Sequence, residues 1–489
     1  MQNWPKQPIV YEINTWVWLH ELSQKYKNAI HLGNVPAEDW DTIASLKVDA
    51  VWFMGVWERS PLGLRIARKN QELLDEFRRV LPDFKLKDVV GSPYCIRRYV
   101  VDRHLGGPQG LAAARKQLST RSIRLILDFV PNHVAPDHPW IFGHPEYMIQ
   151  GSREDLAKGP TAFFEAGDNI FAHGRDPYFL PWQDVAQINA FHPGLRRAAI
   201  DAVDDIASQC DGMRCDMAML LLNEVFEKTW GAHAGVQPET EYWQDVIPAV
   251  REKHPDVLFM AEAYWDLESE LLQQGFDLCY DKRLYDCLGH ETAESVRLHL
   301  LAKFAYQDRL VRFIENHDEP RAALTFSPEK GRAAAITAAT LPGAKLFHEG
   351  QFEGRKVKLP VFLGRRPDEP PDLALQVFYR KLLKNIHSPV FQEGEWHLCE
   401  RSGWPDNQSY RNVVAWCWKN ERERSLIVVN LSDQRSEARV RLPWEELAGR
   451  SWRLADVYRE KVYDRDGSEM RNPGLYVALE AWGFHVLKF

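Results

Sequence analysis

Eight short apolar runs, all before residue 351 and separated by helix-like stretches, restrict the fold more than any other feature of the chain. They are IVYEINTW (9–16), VDAVWFMG (48–55), IRLILDFV (123–130), GMRCDMA (212–218), VLFMAEA (257–263), FDLCYD (276–281), LVRFIEN (310–316) and AKLFHEG (344–350). Near-continuous apolar runs of this length suit strands buried on both faces, as parallel strands are when crossover helices cover them. Helical patterns such as GLAAARKQL, GLRRAAIDAVDDIASQ and GRAAAITAAT lie between the runs. The alternation predicts a (β/α)8 barrel, with a doubly wound sheet as the structural competitor.

Two connections are too long for simple crossovers: residues 56–110, which include the helix-like RKNQELLDEFRRV, and residues 134–188, rich in Pro, His, Phe and Gly. Long insertions at the carboxyl ends of barrel strands are where such folds build sites. Beyond PPDLALQVFYRKLLKNI (370–386), which reads as a last helix, the runs NVVAWCWK, SLIVVNLS, EARVRLP, LYVALE and GFHVLKF alternate with period two. The expected organisation is a barrel over 1–389, interrupted by an inserted loop-rich domain at 134–188, and a C-terminal antiparallel β-sandwich-like domain over 390–489.

Bulk properties exclude several function classes. A net charge of −8 with mixed signs argues against a nucleic-acid partner and for a neutral ligand. The seven cysteines are an odd set without a C-x-x-C pair, which disfavours both a disulfide framework and a zinc cluster and fits a reducing compartment. The leading MQNWPKQPIVYEINTWVW lacks the pattern of a secretory signal, and no apolar run has the length of a bilayer span, so a cytoplasmic location and no membrane partner are expected. His138, His173 and His192 lack regular ligand spacing, and Cys210 and Cys215 read as small buried hydrophobes. Oligomeric state is left open.

Charged residues gather at the ends of the runs. If GMRCDMA is a strand, Arg214 and Asp216 share one face while Met213, Cys215 and Met217 take the other. Alone, such a pair reads as a structural ion pair. Asp128 and His133 at the third run, Glu262 at the fifth, and His317 and Asp318 at the seventh extend the pattern to carboxylates on several strands, which suits carboxylate chemistry at one barrel mouth. Retaining glycoside hydrolysis uses two carboxyl groups about 5 to 5.5 Å apart, one protonated and one ionised. Asp216 and Glu262 are the natural couple. Arg214 is expected to keep Asp216 ionised, and the neighbours Ala261, Ala263, Tyr264 and Trp265 are expected to keep Glu262 protonated.

DFVPNH, GMRCDMA, AEA and NHD occur in the order characteristic of the α-amylase family of retaining glycosidases and transglycosylases, which the sequence resembles. The resemblance extends to GSPYCIRRYVVDRHLGG, AQINAFHPGLRRAAID and LPGAKLFHEGQFEG and thus to most of the chain. It implies Asp216 as nucleophile, Glu262 as acid/base and Asp318 as transition-state stabiliser. Arg214, His133 and His317 are implied as their partners around the sugar, Tyr94 as the aromatic stacked on it, and Asp128 as an organiser of the site. An oligosaccharide or α-glucan is the implied substrate, cleaved at α-1,4 linkages. A transglycosylase with the same residues is the first alternative, and a non-catalytic carbohydrate-binding relative the second.

Some positions depart from the pattern. Met219 and Leu220 stand where many endo-acting relatives carry Lys and His, and Gly110 stands where many carry Asp. The family's calcium site would use Asn132 and an aspartate, yet the segment before the fourth run has Gln187 and Asn189, so no metal and no cofactor is expected. Trp57, Trp140, Tyr178 and Trp182 are candidates for sugar stacking or for packing, and Glu349 and Glu353 are expected to be solvated loop charges.

Overall fold

The computed structural model describes residues 4–489. Each of the eight runs supplies one strand: β1 (Ile9–Asn14), β2 (Ala50–Met54), β3 (Arg124–Phe129), β4 (Gly212–Cys215), β5 (Leu258–Ala261), β6 (Leu278–Tyr280), β7 (Leu310–Arg312) and β8 (Ala344–His348). They close a barrel in the order β1-β8-β7-β6-β5-β4-β3-β2, which decides against the doubly wound sheet. Neighbouring strands pair parallel, with Val10 opposite Ala50, Gly212 opposite Ile126 and Met213 opposite Phe259. All five residues of β2, AVWFM, are buried, as expected for a strand covered on both faces.

The strands are short and stop where the charges begin. β4 ends at Cys215 and β5 at Ala261, so Asp216 and Glu262 are the first residues beyond them. Their backbones still follow the ladder: Asp216 N–H donates to Phe129 O at 2.8 Å and Glu262 N–H to Cys215 O at 3.0 Å. The helix Pro193–Gln209 leads into β4; Pro193 opens it, His192 accepts from the Gly194 N–H, and Leu195, Ala199, Val203 and Ile206 form its buried face.

The long connections carry structure of their own. In the first, the helix Gln71–Val80 matches the charged helical pattern, and Trp57–Arg59 pairs antiparallel with Ile96–Val101. The second, expected to be loop-rich, contains a four-stranded sheet in the order Phe163–Ala166, Asn169–Gly174, Trp182–Gln187, His133–Val134. Glycines and a bulge between His173 and Gly174 break the alternation that would have marked these strands.

Contacts divide the chain into two compact units, one containing residues 10–280 and 357–369, the other residues 4–9, 281–356 and 370–489. In the second unit the helix expected to be the last is Leu373–Ile386; a short helix, Pro389–Glu393, follows it before a six-stranded and a three-stranded sheet. Their core includes Val413, Ala415, Leu426, Val428, Val440, Leu454 and Leu487. Two strands there, Ser451–Asp456 and Lys461–Asp466, escape the sequence pattern because charged and polar residues are interspersed through them. Among the described residues, no helix is long and apolar enough to cross a membrane.

Trp416 and Trp418 are both fully buried and both donate Nε1–H to the carbonyl of Thr340, at 3.2 and 2.8 Å, at the end of the helix Pro328–Thr340. Trp418→Phe removes the shorter bond and part of a buried ring, and is expected to lower stability by about 1–3 kcal/mol. Trp416→Phe should cost less, because its bond is the longer one. Denaturant unfolding of the three proteins measures both effects.

Candidate active site

Arg214 organises the strand ends of the first unit. It lies on β4 opposite Asp128 of β3, and its side chain is fully buried. Its Nη1 is 2.6 Å from Asp216 Oδ1 and 3.6 Å from Asp128 Oδ1, and its Nη2 is 2.7 Å from Glu262 Oε1. The guanidinium carbon sits 5.2, 5.4 and 5.7 Å from the ring centres of Trp52, Tyr94 and Tyr280. Burial pushes the guanidinium toward losing its proton, but Glu262, Tyr280, Tyr94 and Asp216 more than offset this and hold it above its ordinary range. One fixed cation therefore meets three carboxylates and three aromatic rings.

The expectation for Glu262 needs correcting. Its side chain is not held in apolar surroundings: besides Arg214, it accepts the Met217 N–H at 2.7 Å on Oε2 and the Tyr264 hydroxyl at 3.0 Å on Oε1. The reason is alternation, since Ala261 and Ala263 pack on the opposite side and leave the polar neighbours to Glu262. Met217 presents its N–H from the left-handed region, at φ +44°, which a side chain with a Cβ adopts only under restraint. The Ala218 N–H adds a bond to the Glu262 carbonyl at 3.1 Å.

The other expected residues of this unit fall into place around them. Asp128 is buried; its Oδ2 accepts the Gly55 N–H at 3.3 Å and its carbonyl accepts Trp57 Nε1–H at 2.7 Å. Trp57 is therefore a packing residue, and it is 1% exposed. Burial pushes His133 down to about 4, against a bond to the Tyr94 backbone, so its imidazole is neutral at neutral pH. Met219 and Leu220 are buried in the turn Ala218–Leu221. Trp52, Tyr264 and Tyr280 were not singled out as partners of the charges; the end of the FDLCYD run was the available signal for Tyr280.

In the second unit His317 Nε2 lies 2.8 Å from Asp318 Oδ2, and the Asp318 carboxylate is 43% exposed while His317 is buried. Asn316 Oδ1 accepts the N–H groups of Asp318 and Glu319, both at 2.9 Å, which fixes the turn that carries Asp318. Beneath it, buried Arg321 pairs with Glu315 at 2.6 Å and meets His348 Nδ1 and the Glu349 carbonyl, both at 2.8 Å. Glu349 itself is buried rather than solvated. Arg321, Glu315 and His348 were missed, although ENHDEPR carries both members of the pair.

The residues at the family's calcium position do not fit an ion. Gln187 Nε2 donates to the Asn132 carbonyl at 2.9 Å and to its Oδ1 at 3.0 Å, and Asn132 Nδ2 lies 3.2 Å from Gln187 Oε1. Asn189 Nδ2 turns instead to the Ala234 carbonyl at 3.2 Å. An ion would need oxygens facing it, whereas these amides satisfy one another. A separate cleft of about 330 Å³, lined by Trp16, His20, Lys87, Asp88 and His104 among others, contains none of the strand-end carboxylates.

Two outcomes follow from this electrostatic arrangement. Arg214→Met leaves buried carboxylates without their cation, and is expected to cost about 3–5 kcal/mol. The loss should be larger at pH 8 than at pH 5, where protonation relieves the repulsion, as urea unfolding at both values will read. Burial likewise pushes His138 from 6.5 down to about 4, with Arg97 adding to the effect. Its contribution to stability is complete above 6.5 and is lost as pH falls toward 4, by roughly 3 kcal/mol. His138→Asn keeps an acceptor for the Trp140 N–H and should flatten that part of the stability profile.

No family profile matches the chain. It is 24% identical over 450 residues to the α-amylase MalA of Haloarcula japonica, covering 88% of this chain and 56% of that protein, so it spans little more than half the length of that relative. The crystal structure of the maltogenic α-amylase AmyB from Thermotoga neapolitana superposes with a TM-score of 0.70 at 19% identity, over 99% of both chains. An α-amylase from Lactobacillus plantarum gives 0.68 at 18% identity, again over 99% of both. In sequence and in fold alike, the chain is similar to enzymes of the α-amylase family.

Proposed function

We propose that the chain is a retaining α-glycosidase acting on α-1,4-linked glucans or malto-oligosaccharides. The observation that carries this reading is the arginine shared between Asp216 and Glu262, at 2.6 and 2.7 Å, which holds both carboxyl groups against one guanidinium. Asp216 attacks the anomeric carbon while the glycosidic C–O bond breaks and Glu262 passes its proton to the leaving oxygen. Water, deprotonated by Glu262, then releases the covalent glycosyl-enzyme. Asp318 is assigned to transition-state stabilisation and His317 to its support, from the NHD resemblance. Tyr94 is assigned to stacking, His133 to neutral hydrogen bonding, and Asp128 and Arg214 to holding the pair. The seven cysteines, all buried and free, support a cytoplasmic location.

Transglycosylation is the second reading. Tyr178, Phe179 and Leu180 are 58, 71 and 85% exposed, and Tyr178 meets Trp265, three residues past Glu262, edge-on at 4.8 Å. Such a surface suits a sugar acceptor as well as a leaving glucan. Incubation with maltotriose separates the two: shorter products alone are expected, and longer oligosaccharides appearing early would establish transfer. Asp216→Asn is expected to lower turnover by roughly 10³-fold or more, the scale of removing a covalent nucleophile, and unchanged turnover would refute an enzymatic role for this site.

A further inference from the structure

We propose that Tyr264 is a positioning residue for Glu262, its hydroxyl donating a hydrogen bond to the ionised carboxylate and turning its hydrogen away when the carboxyl group is protonated. The proposal rests on the acid/base assignment of Glu262 above. That assignment needs both protonation states within one turnover, first as acid and then as base. Yet the partners on the carboxylate are unequal. Arg214 Nη2, an ion-pair partner 2.7 Å from Oε1, and the Met217 N–H, which donates to Oε2 at 2.7 Å, carry no acceptor. Both favour the ionised form. The Tyr264 hydroxyl, 3.0 Å from Oε1, is different, because a phenol both donates and accepts and its hydrogen rotates about the C–O bond.

The geometry makes this arrangement stable. Met217 is fixed by its left-handed backbone, and Arg214 is fixed by burial and by its hydrogen bond to Asp216, so neither withdraws when Glu262 changes charge. The adjoining backbone is restrained as well: Trp265 and Asp266, immediately after Tyr264, both have positive φ, +63° and +59°. This holds the phenol two residues from the carboxylate it serves. Glu262 is 2% exposed, so water is poorly placed to replace the hydroxyl.

A hydrogen bond to an ionised carboxylate is about twice as strong as one to its neutral form, so the hydroxyl stabilises the anion more than the acid. Removing it should make Glu262 hold its proton to higher pH. With maltotriose as substrate, Tyr264→Phe is expected to move the alkaline limb of kcat/KM up by about half to one pH unit and leave the acidic limb unmoved. Site-specific 3-fluorotyrosine at 264, a more acidic donor, should move the same limb down. With α-maltosyl fluoride, whose leaving group needs no proton, kcat/KM of Tyr264→Phe should stay within about twofold of the parent. Equal losses on both substrates with an unmoved limb, or a limb that ignores both replacements, would overturn the proposal. Glu262→Gln is the independent control: if it turned over maltotriose normally, the acid assignment itself would be wrong, whatever Tyr264 does.

Discussion

A guanidinium with no access to water, set among Asp128, Asp216 and Glu262, is the interaction on which the arrangement of the barrel's strand ends depends. Removing an ion from water costs several kcal/mol even after relaxation, so a buried arginine survives only with paired charge around it. Here the pairing is reciprocal. The carboxylates keep Arg214 charged, and Arg214 keeps them in register. The faces of Trp52, Tyr94 and Tyr280 add their own attraction for the cation without adding further charge. A lysine has one point of charge and no planar fork, so it would not span Asp216 and Glu262 in the same way.

The backbone carries that precision outward. Because the Asp216 and Glu262 N–H groups continue the interstrand ladder past the ends of β4 and β5, the carboxylates inherit the rigidity of the sheet rather than that of a loop. Strain enters one residue later, at Met217, and again at Trp265 and Asp266. Restrained backbone beside rigid strand is a common way to aim polar groups; here Met217 directly follows Asp216, and Trp265 and Asp266 follow Tyr264, the phenol that donates to Glu262.

The barrel was legible because burial on both faces writes a strong signal: each apolar run became one strand, down to the three-residue β6 and β7. The clustering of Arg214, Asp216, Glu262 and Asp128 was legible for a related reason, as charges inside apolar runs need one another. What the sequence did not disclose is how side chains turn. Glu262 looked apolar from its neighbours, and only the alternation of Ala261 and Ala263 away from it reveals the donors it meets. The sheet within 134–188 was hidden by glycines and a bulge, and Ser451–Asp456 and Lys461–Asp466 by the charged residues interspersed through them. Arg321 and His348 were hidden because their partnership joins residues distant in sequence.

The interlocked amides of Asn132 and Gln187 bear on the environment in which such a molecule works. Where a divalent ion ties two segments together, the fold is mortgaged to the surrounding concentration of that ion, and a chelator can undo it. Two neutral side chains joined by hydrogen bonds carry no such dependence. The junction between β3 and the segment leading to β4 is closed by groups translated with the chain, and should be indifferent to how much calcium its surroundings contain.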